Sequence, residues 1–232
     1  MKKQVAVIGL GRFGLSLAAT LHAAGHEVLA IDKDEARVQE VSNIVTHAVQ
    51  ADATNEAVLA ELGLKDFDAA MVAMGAAIES SVLCTILLRN LGVKYVVARA
   101  DHDLHGSILK KIGANWVVMP EREMGVTAAH SVVLREVRDY MRLDESNGVS
   151  RLMSPKYMVG RSLRELGFGP SGDAEIAVLA LQRGKILTIN PASEERVEVG
   201  DALVLCGNDD NLEALLEKAR QKLPEENNGA EG

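Results

Sequence analysis

The sequence predicts an α/β fold: a doubly wound parallel sheet with helices on both faces, then a smaller α+β lobe. Three observations carry that prediction. Apolar runs of four to six residues alternate with helix-period segments over roughly the first 140 residues, the pattern of successive βαβ units. A glycine-rich turn, "GLGRFG", stands between the first apolar run and the first helical segment. Beyond "LDESNGVS" the composition changes to short alternating runs such as "AEIAVLALQ" and "DALVLCG", punctuated by Gly and Pro, which mark a small strand-rich module.

In chain order the strands are expected at 5–8, 27–31, 47–50, 69–73, 95–98 and 116–118, which completes a six-stranded sheet. Helices are expected to start near Arg12, Asp34, Asn55, Ala77, Asp101 and Arg122, several with Asp or Asn in the N-cap position. The last of them, about 122–142, carries Met124, Ala128, Val132, Val133, Val137 and Met141 on one side and has no following strand to return to. A crossover to another domain or subunit and packing on its own sheet both account for that stripe. The expected organisation is therefore a nucleotide-binding domain over 1–144, a second lobe over 149–223, and a polar, acidic, disordered tail over 224–232.

With 232 residues, 47% of them apolar, the chain can furnish real cores. No apolar stretch approaches the roughly 20 residues needed to span a bilayer, and the "MKKQVAVIGLG" start runs straight into a strand without a cleavage site, so a cytoplasmic protein is expected. Thirty-three acids against 25 Lys and Arg give a net charge of -8, which argues against a nucleic-acid partner. The two cysteines, Cys84 and Cys206, lie in apolar patterns without metal-ligand spacing and read as packed thiols.

The chemistry concentrates at the carboxyl ends of the expected strands. Gly9, Gly11 and Gly14 form GxGxxG in the strand-turn-helix context of a Rossmann-type nucleotide site. Gly9 makes the tight turn, Gly11 lets phosphate approach the backbone, and Gly14 lets the helix pack closely. Free N–H groups and the positive helix end then hold phosphate oxygens. Asp32, 23 residues after Gly9, can accept both ribose hydroxyls and would repel a 2′-phosphate. Asp52 and Thr54 follow the third strand, either beside the adenine or merely opening the next helix. Gly75, in "AMGAAIESS", can pass close to the ligand. Arg12, in the first turn of the phosphate-binding helix, adds a charge and a planar donor fork beyond what pyrophosphate requires. "DHDLHG" could hold a metal but reads equally as a capped helix start.

Together "GLGRFG", "GHEVLAID", "THAVQADAT", "AMGAAIESS", "KKIGANWVVMPEREMG" and "RVEVGDALVLCG" resemble the RCK (regulator of K⁺ conductance) proteins of bacterial Ktr and Trk potassium uptake, and among them the Ktr type. The resemblance runs from about Lys3 to Leu215. It implies a crossover helix that dimerises, and a homodimer assembling to a homo-octameric ring under a membrane potassium channel or transporter subunit at the inner face of the membrane. It places Gly9, Gly11, Phe13, Gly14, Asp32, Lys33, Asp52, Ala53, Thr54, Met74 and Gly75 around ATP or ADP, with NAD left open. It brings Arg12 to the γ-phosphate and Arg99 to neutralise phosphate, and it has Glu121 hold Mg²⁺ or Ca²⁺ at the dimer interface. Ala77 departs from an asparagine common in Ktr regulators, while Glu79 and Ser81 fit. It also implies cyclic di-AMP at the C-terminal lobe, near "KILTINP".

Three functions follow: a nucleotide-sensing gating subunit without enzymatic activity, an NAD-dependent oxidoreductase, and a nucleotide-sensing repressor. The second lobe has no histidine to serve as a poised base, and the acidic balance with no helix-turn-helix disfavours a repressor. The gating subunit is the expected function.

Overall fold

Residues 1–168 and 175–221 are described in a computed structural model. It divides into two compact units, Met1–Arg122 and Glu123–Gly232. The tail expected over 224–232 and part of "GFGPSGD" lie outside the described residues.

In the first unit the apolar runs become six parallel strands: β1 (Gln4–Ile8), β2 (Glu27–Asp32), β3 (His47–Gln50), β4 (Ala69–Val72), β5 (Val96–Arg99) and β6 (Trp116–Val118). Their order is β3-β2-β1-β4-β5-β6, so the chain winds outward in both directions from β1. A parallel sheet is covered on both faces, and its strands are therefore apolar at successive positions rather than at alternate ones. In β1, Ala6 and Ile8 pack with Leu59, Leu88 and Leu109 on one face, while Val7 packs with Ala18, Val38 and Val41 on the other. Connecting helices are α1 (Arg12–Ala23), α2 (Glu35–Val41), α3 (Glu56–Glu61), α4 (Ile78–Asn90) and α5 (Asp103–Lys111). Asp34, Asn55 and His102 cap α2, α3 and α5 by accepting backbone N–H groups. Within "DHDLHG" both imidazoles serve the backbone: His102 accepts from the His105 N–H and His105 Nδ1 accepts from the Asp101 N–H. The segment is a capped helix start, and no cluster of three metal-ligating side chains occurs among the described residues.

The long helix expected over 122–142 is shorter. α6 spans Pro120–Val133, and 137–142 form strand β7 (Val137–Arg142) of the second sheet. A register shift between Val137 and Asp139 in the pairing with β8 (Asn147–Met153) puts the buried residues Val137 and Tyr140 three apart. A bulged strand with that spacing imitates a helical stripe. Accordingly β7 belongs with the second lobe, which begins well before the expected boundary at 149.

The second sheet is antiparallel, ordered β10-β9-β11-β8-β7, with β9 (Ala177–Arg183), β10 (Ile186–Ile189) and β11 (Ala202–Asn208). Helix α7 (Asp209–Gln221) packs Leu212 and Leu216 into its core. Burial alternates along β8, with Gly148, Ser150 and Leu152 inward, as a one-faced sheet requires. The six-plus-five strand arrangement is the expected doubly wound sheet with a small α+β lobe.

Candidate functional site

Three glycines build the turn from β1 into α1. Gly9 has φ +93°, a conformation that side chains other than glycine's rarely adopt. A Cβ on Gly14 would fall 1.9 Å from the Gly9 carbonyl oxygen, so only glycine lets α1 approach the strand end. A Cβ on Gly11 would meet nothing within 4 Å. The space beside Gly11 opens into a cavity of about 490 Å³ at the carboxyl ends of the strands.

Most of the expected residues meet there. Gly9 and Gly11 come from the glycine turn, and Asp32 and Lys33 from the end of β2. Asp52, Ala53 and Thr54 follow β3, Met74 and Gly75 follow β4, and Arg99 ends β5. Arg12, Phe13, Gly14 and Glu121 are not among the lining residues. Arg12 is exposed at the start of α1. Phe13 is half-buried against Met71, Ala73 and Val118, with the Arg99 guanidinium 5.9 Å from its ring centroid. Glu79 is exposed, Ser81 is fully buried, and neither lines the cavity; Ser80, between them, does.

The two ends of the cavity differ in chemistry. At one end Asp32, 8% exposed, is fixed by two backbone donors: Leu10 N–H to Oδ2 at 2.6 Å and Asp34 N–H to Oδ1 at 2.9 Å. The carboxylate thus ties the glycine turn to β2 while keeping lone pairs for a ligand hydroxyl. Arg37 stands 3.5 Å from Asp32 Oδ2 and lines the same end. Sequence reasoning missed it, because the contact joins the end of strand β2 to the first turn of α2 and follows no single period. Nearby, Asp52 accepts from the Thr54 hydroxyl at 2.6 Å and the Thr54 N–H at 2.9 Å, and these bonds hold its carboxyl below the usual range. Asp52 therefore closes the turn into α3 and also lines the cavity.

At the other end, helix amino ends stand without side-chain caps. The amino ends of α1 and α4, at Gly11 and Ala77, have no side-chain cap, unlike those of α2, α3 and α5, and both N-cap residues line the cavity. Uncapped first-turn N–H groups and the positive helix end favour an anion. Arg99 points in as well. Its Nε is buried without a hydrogen-bond partner, and it lies where a Cβ on Gly75 would come within 3.0 Å. Its Nη2 is bound by the Glu121 carboxylate from the first turn of α6. Within α4 the pKa of the buried Cys84 thiol is pushed up to about 12, by burial first and Asp52 second, so it stays protonated and packed.

Comparison with known proteins identifies the family. The TrkA-N domain family matches residues 5–120 and the TrkA-C domain family residues 150–220. The Ktr system potassium uptake protein C of Bacillus subtilis (strain 168) is 39% identical over 208 residues, 90% of this chain and 93% of that one. The chain belongs to the Ktr family of potassium uptake proteins. A second Ktr relative, potassium uptake protein A of Vibrio alginolyticus, is 35% identical over 210 residues, 90% of this chain and 94% of its own. Among solved structures, the GsuK channel bound to NAD matches with a TM-score of 0.63 at 17% identity, covering 97% of the Ktr-type chain but 41% of the channel. That likeness shows the fold. Among the described residues no helix is long and apolar enough to cross a membrane.

Proposed function

We propose that this Ktr-type chain is the nucleotide-sensing regulatory subunit of a bacterial potassium uptake system, acting from the cytoplasmic face on a membrane channel or transporter subunit. The observation that carries the ligand is the two-ended cavity: open space over Gly11, two uncapped helix ends and Arg99 for phosphates, and an anchored Asp32 for ribose hydroxyls. ATP or ADP supplies both complements. NAD is a second reading, supported by the NAD-bound GsuK channel of the same fold. Related Ktr names and the family match support potassium uptake as the process served.

The chain is read as a switch rather than an enzyme. Asp52 is held ionised by Thr54, the opposite of a general acid poised near neutrality, and ligand binding alone can redistribute conformations if their affinities differ. The apolar side of α6 fits a partner subunit: Met124, Val132 and Val133 are 65%, 77% and 61% exposed. On this reading α6 pairs two copies, and four pairs close an octameric ring. Glu121 then holds Mg²⁺ or Ca²⁺ beside the nucleotide, Arg12 reaches a γ-phosphate, and cyclic di-AMP binds at the second lobe along Lys185 to Pro191. Mass spectrometry of ligand released from the native protein, followed by calorimetry with ATP, ADP and NADH, tests the assignment. A native protein that carries no adenine nucleotide and binds none would overturn it.

A further inference from the structure

Arg99 ends β5 among the residues that line the cavity, and it is already engaged. Its side chain is 19% exposed, its Nε faces the Gly75 backbone without a partner, and its Nη2 is taken by Glu121, whose side chain is 63% exposed. One guanidinium thus serves the cavity from one edge and a solvated carboxylate from the other. We propose that Glu121 is a built-in competitor for the ligand's phosphate: it holds Arg99 when the cavity is empty, yields it when an anion enters, and so sets how strongly the site discriminates by ligand charge. The inference rests on the nucleotide reading of the cavity and adds a specificity-determining residue to it.

Three physical points support the exchange. A guanidinium has five donors in a planar fork, so Arg99 can pass from one acceptor to another without leaving its place over Phe13. With its carboxylate 63% exposed the pair is well screened on one side, which makes it displaceable by a phosphate that also gains the helix amino ends. The released Glu121 is not stranded, because it occupies the first turn of α6, where the helix end favours a negative charge. Ligand entry would therefore alter the electrostatics at the start of α6.

The test is calorimetry on the full chain in EDTA, with adenosine, AMP and ADP, for wild type, Glu121→Gln, Arg99→Ala and the double variant. Removing the competitor should tighten ADP binding about two- to fivefold, the range a pair with a solvent-exposed carboxylate can supply, and leave adenosine unchanged. In the Arg99→Ala background the gain should shrink toward none. Unchanged or weaker ADP binding by Glu121→Gln overturns the proposal, as does an equal gain for adenosine or a gain that survives the loss of Arg99. If the wild type binds neither adenosine nor ADP, the nucleotide reading itself fails, and that outcome is visible before any variant is compared.

Discussion

The parallel sheet buries apolar side chains on both faces and collects its charges at the carboxyl ends of its strands, whereas the antiparallel lobe fixes one buried carboxylate with a partly exposed arginine and leaves apolar surface at its edge. In the first, Arg99, Lys33, Arg37 and Asp32 gather around a cavity where two helices end uncapped. In the second, Asp201 is fully buried and bound by Arg183 at 3.0 and 2.9 Å, while the edge strand β10 exposes Ile186 and Ile189 at 70% and 75%. Each unit leaves a different chemistry open: the first presents uncapped helix amino ends at its cavity, which suit an anion, and the second presents exposed apolar side chains along β10, which suit an apolar surface.

The sharpest way to break the first half of that comparison is Gly14→Ala. The added Cβ would meet the Gly9 carbonyl at 1.9 Å, backbone against backbone, with no side chain able to yield. Destabilisation of about 3 kcal/mol or more is expected. Gly125→Ala, where a Cβ meets nothing within 4 Å on α6, should be neutral or slightly stabilising. Urea unfolding followed by circular dichroism reads both, and equal midpoints for the two variants would refute the close strand–helix contact.

In the second sheet the corresponding change is Asp201→Ala. Losing one member of a fully buried pair costs about 3 to 5 kcal/mol, but here only Asp201 is buried: Arg183 is 35% exposed and keeps Glu195 at 3.2 Å and Glu198 at 2.9 Å, so about 2 kcal/mol is expected. The pH dependence has a definite sign. Burial raises the Asp201 carboxyl and the hydrogen bonds from Arg183 and Glu198 outweigh it, leaving the folded value below the ordinary one. Its contribution is therefore complete above the unfolded value near 3.9 and is lost as pH falls through the lower folded value. The stability gap between wild type and Asp201→Asn should close below about pH 3.9; a gap that widened there would reverse the assignment.

Much of the first unit is legible because its signals are local. Strand runs, caps and the glycine spacing each act over a few residues, and β3 and β6 fall on the expected residues. The departure at 137–142 comes from a bulge, which converts the two-residue period of a strand into three and so carries Val137 onto the stripe of α6. Arg37 and the Arg99–Glu121 pair were hidden for a different reason. They depend on which side chains the winding order brings together, with Arg99 and Glu121 on neighbouring elements 22 residues apart, and no periodicity reports that. The structural use of Asp32 was equally hidden, since its hydrogen bond to Leu10 exists only once β1 and β2 are paired.

That dual use of Asp32 sharpens the comparison of the cavity's two ends. Asp32→Ala should weaken ATP and ADP alike, by roughly 2 kcal/mol or about thirtyfold in Kd, because it removes a charged acceptor shared by all adenosine ligands. Adenosine is the informative control. A ribose contact predicts the same loss for adenosine as for ATP, whereas a purely structural role in the glycine turn predicts a larger loss for the ligands with phosphates. Calorimetry across the three ligands separates them.

The smallest expected effect belongs to Arg12, the exposed residue that stands outside its own cavity. If it completes the phosphate end of a neighbouring copy's site, its charge acts on the outermost phosphate, and Arg12→Ala should lower ATP affinity about fivefold, or 1 kcal/mol, while sparing most ADP binding. Truncating a solvent-exposed arginine should leave stability unchanged, so the unfolding midpoint provides an internal check. Dependence on assembly provides a second test: dilution below the association range should erase the ATP preference of wild type and leave the variant unchanged, because an arginine supplied in trans is present only in the assembled state. Equal losses for ATP and ADP would place Arg12 on the phosphates common to both. An ATP preference that persists in dissociated wild type would return the arginine to its own chain's site, and the contrast between the two units would then rest on their folds alone.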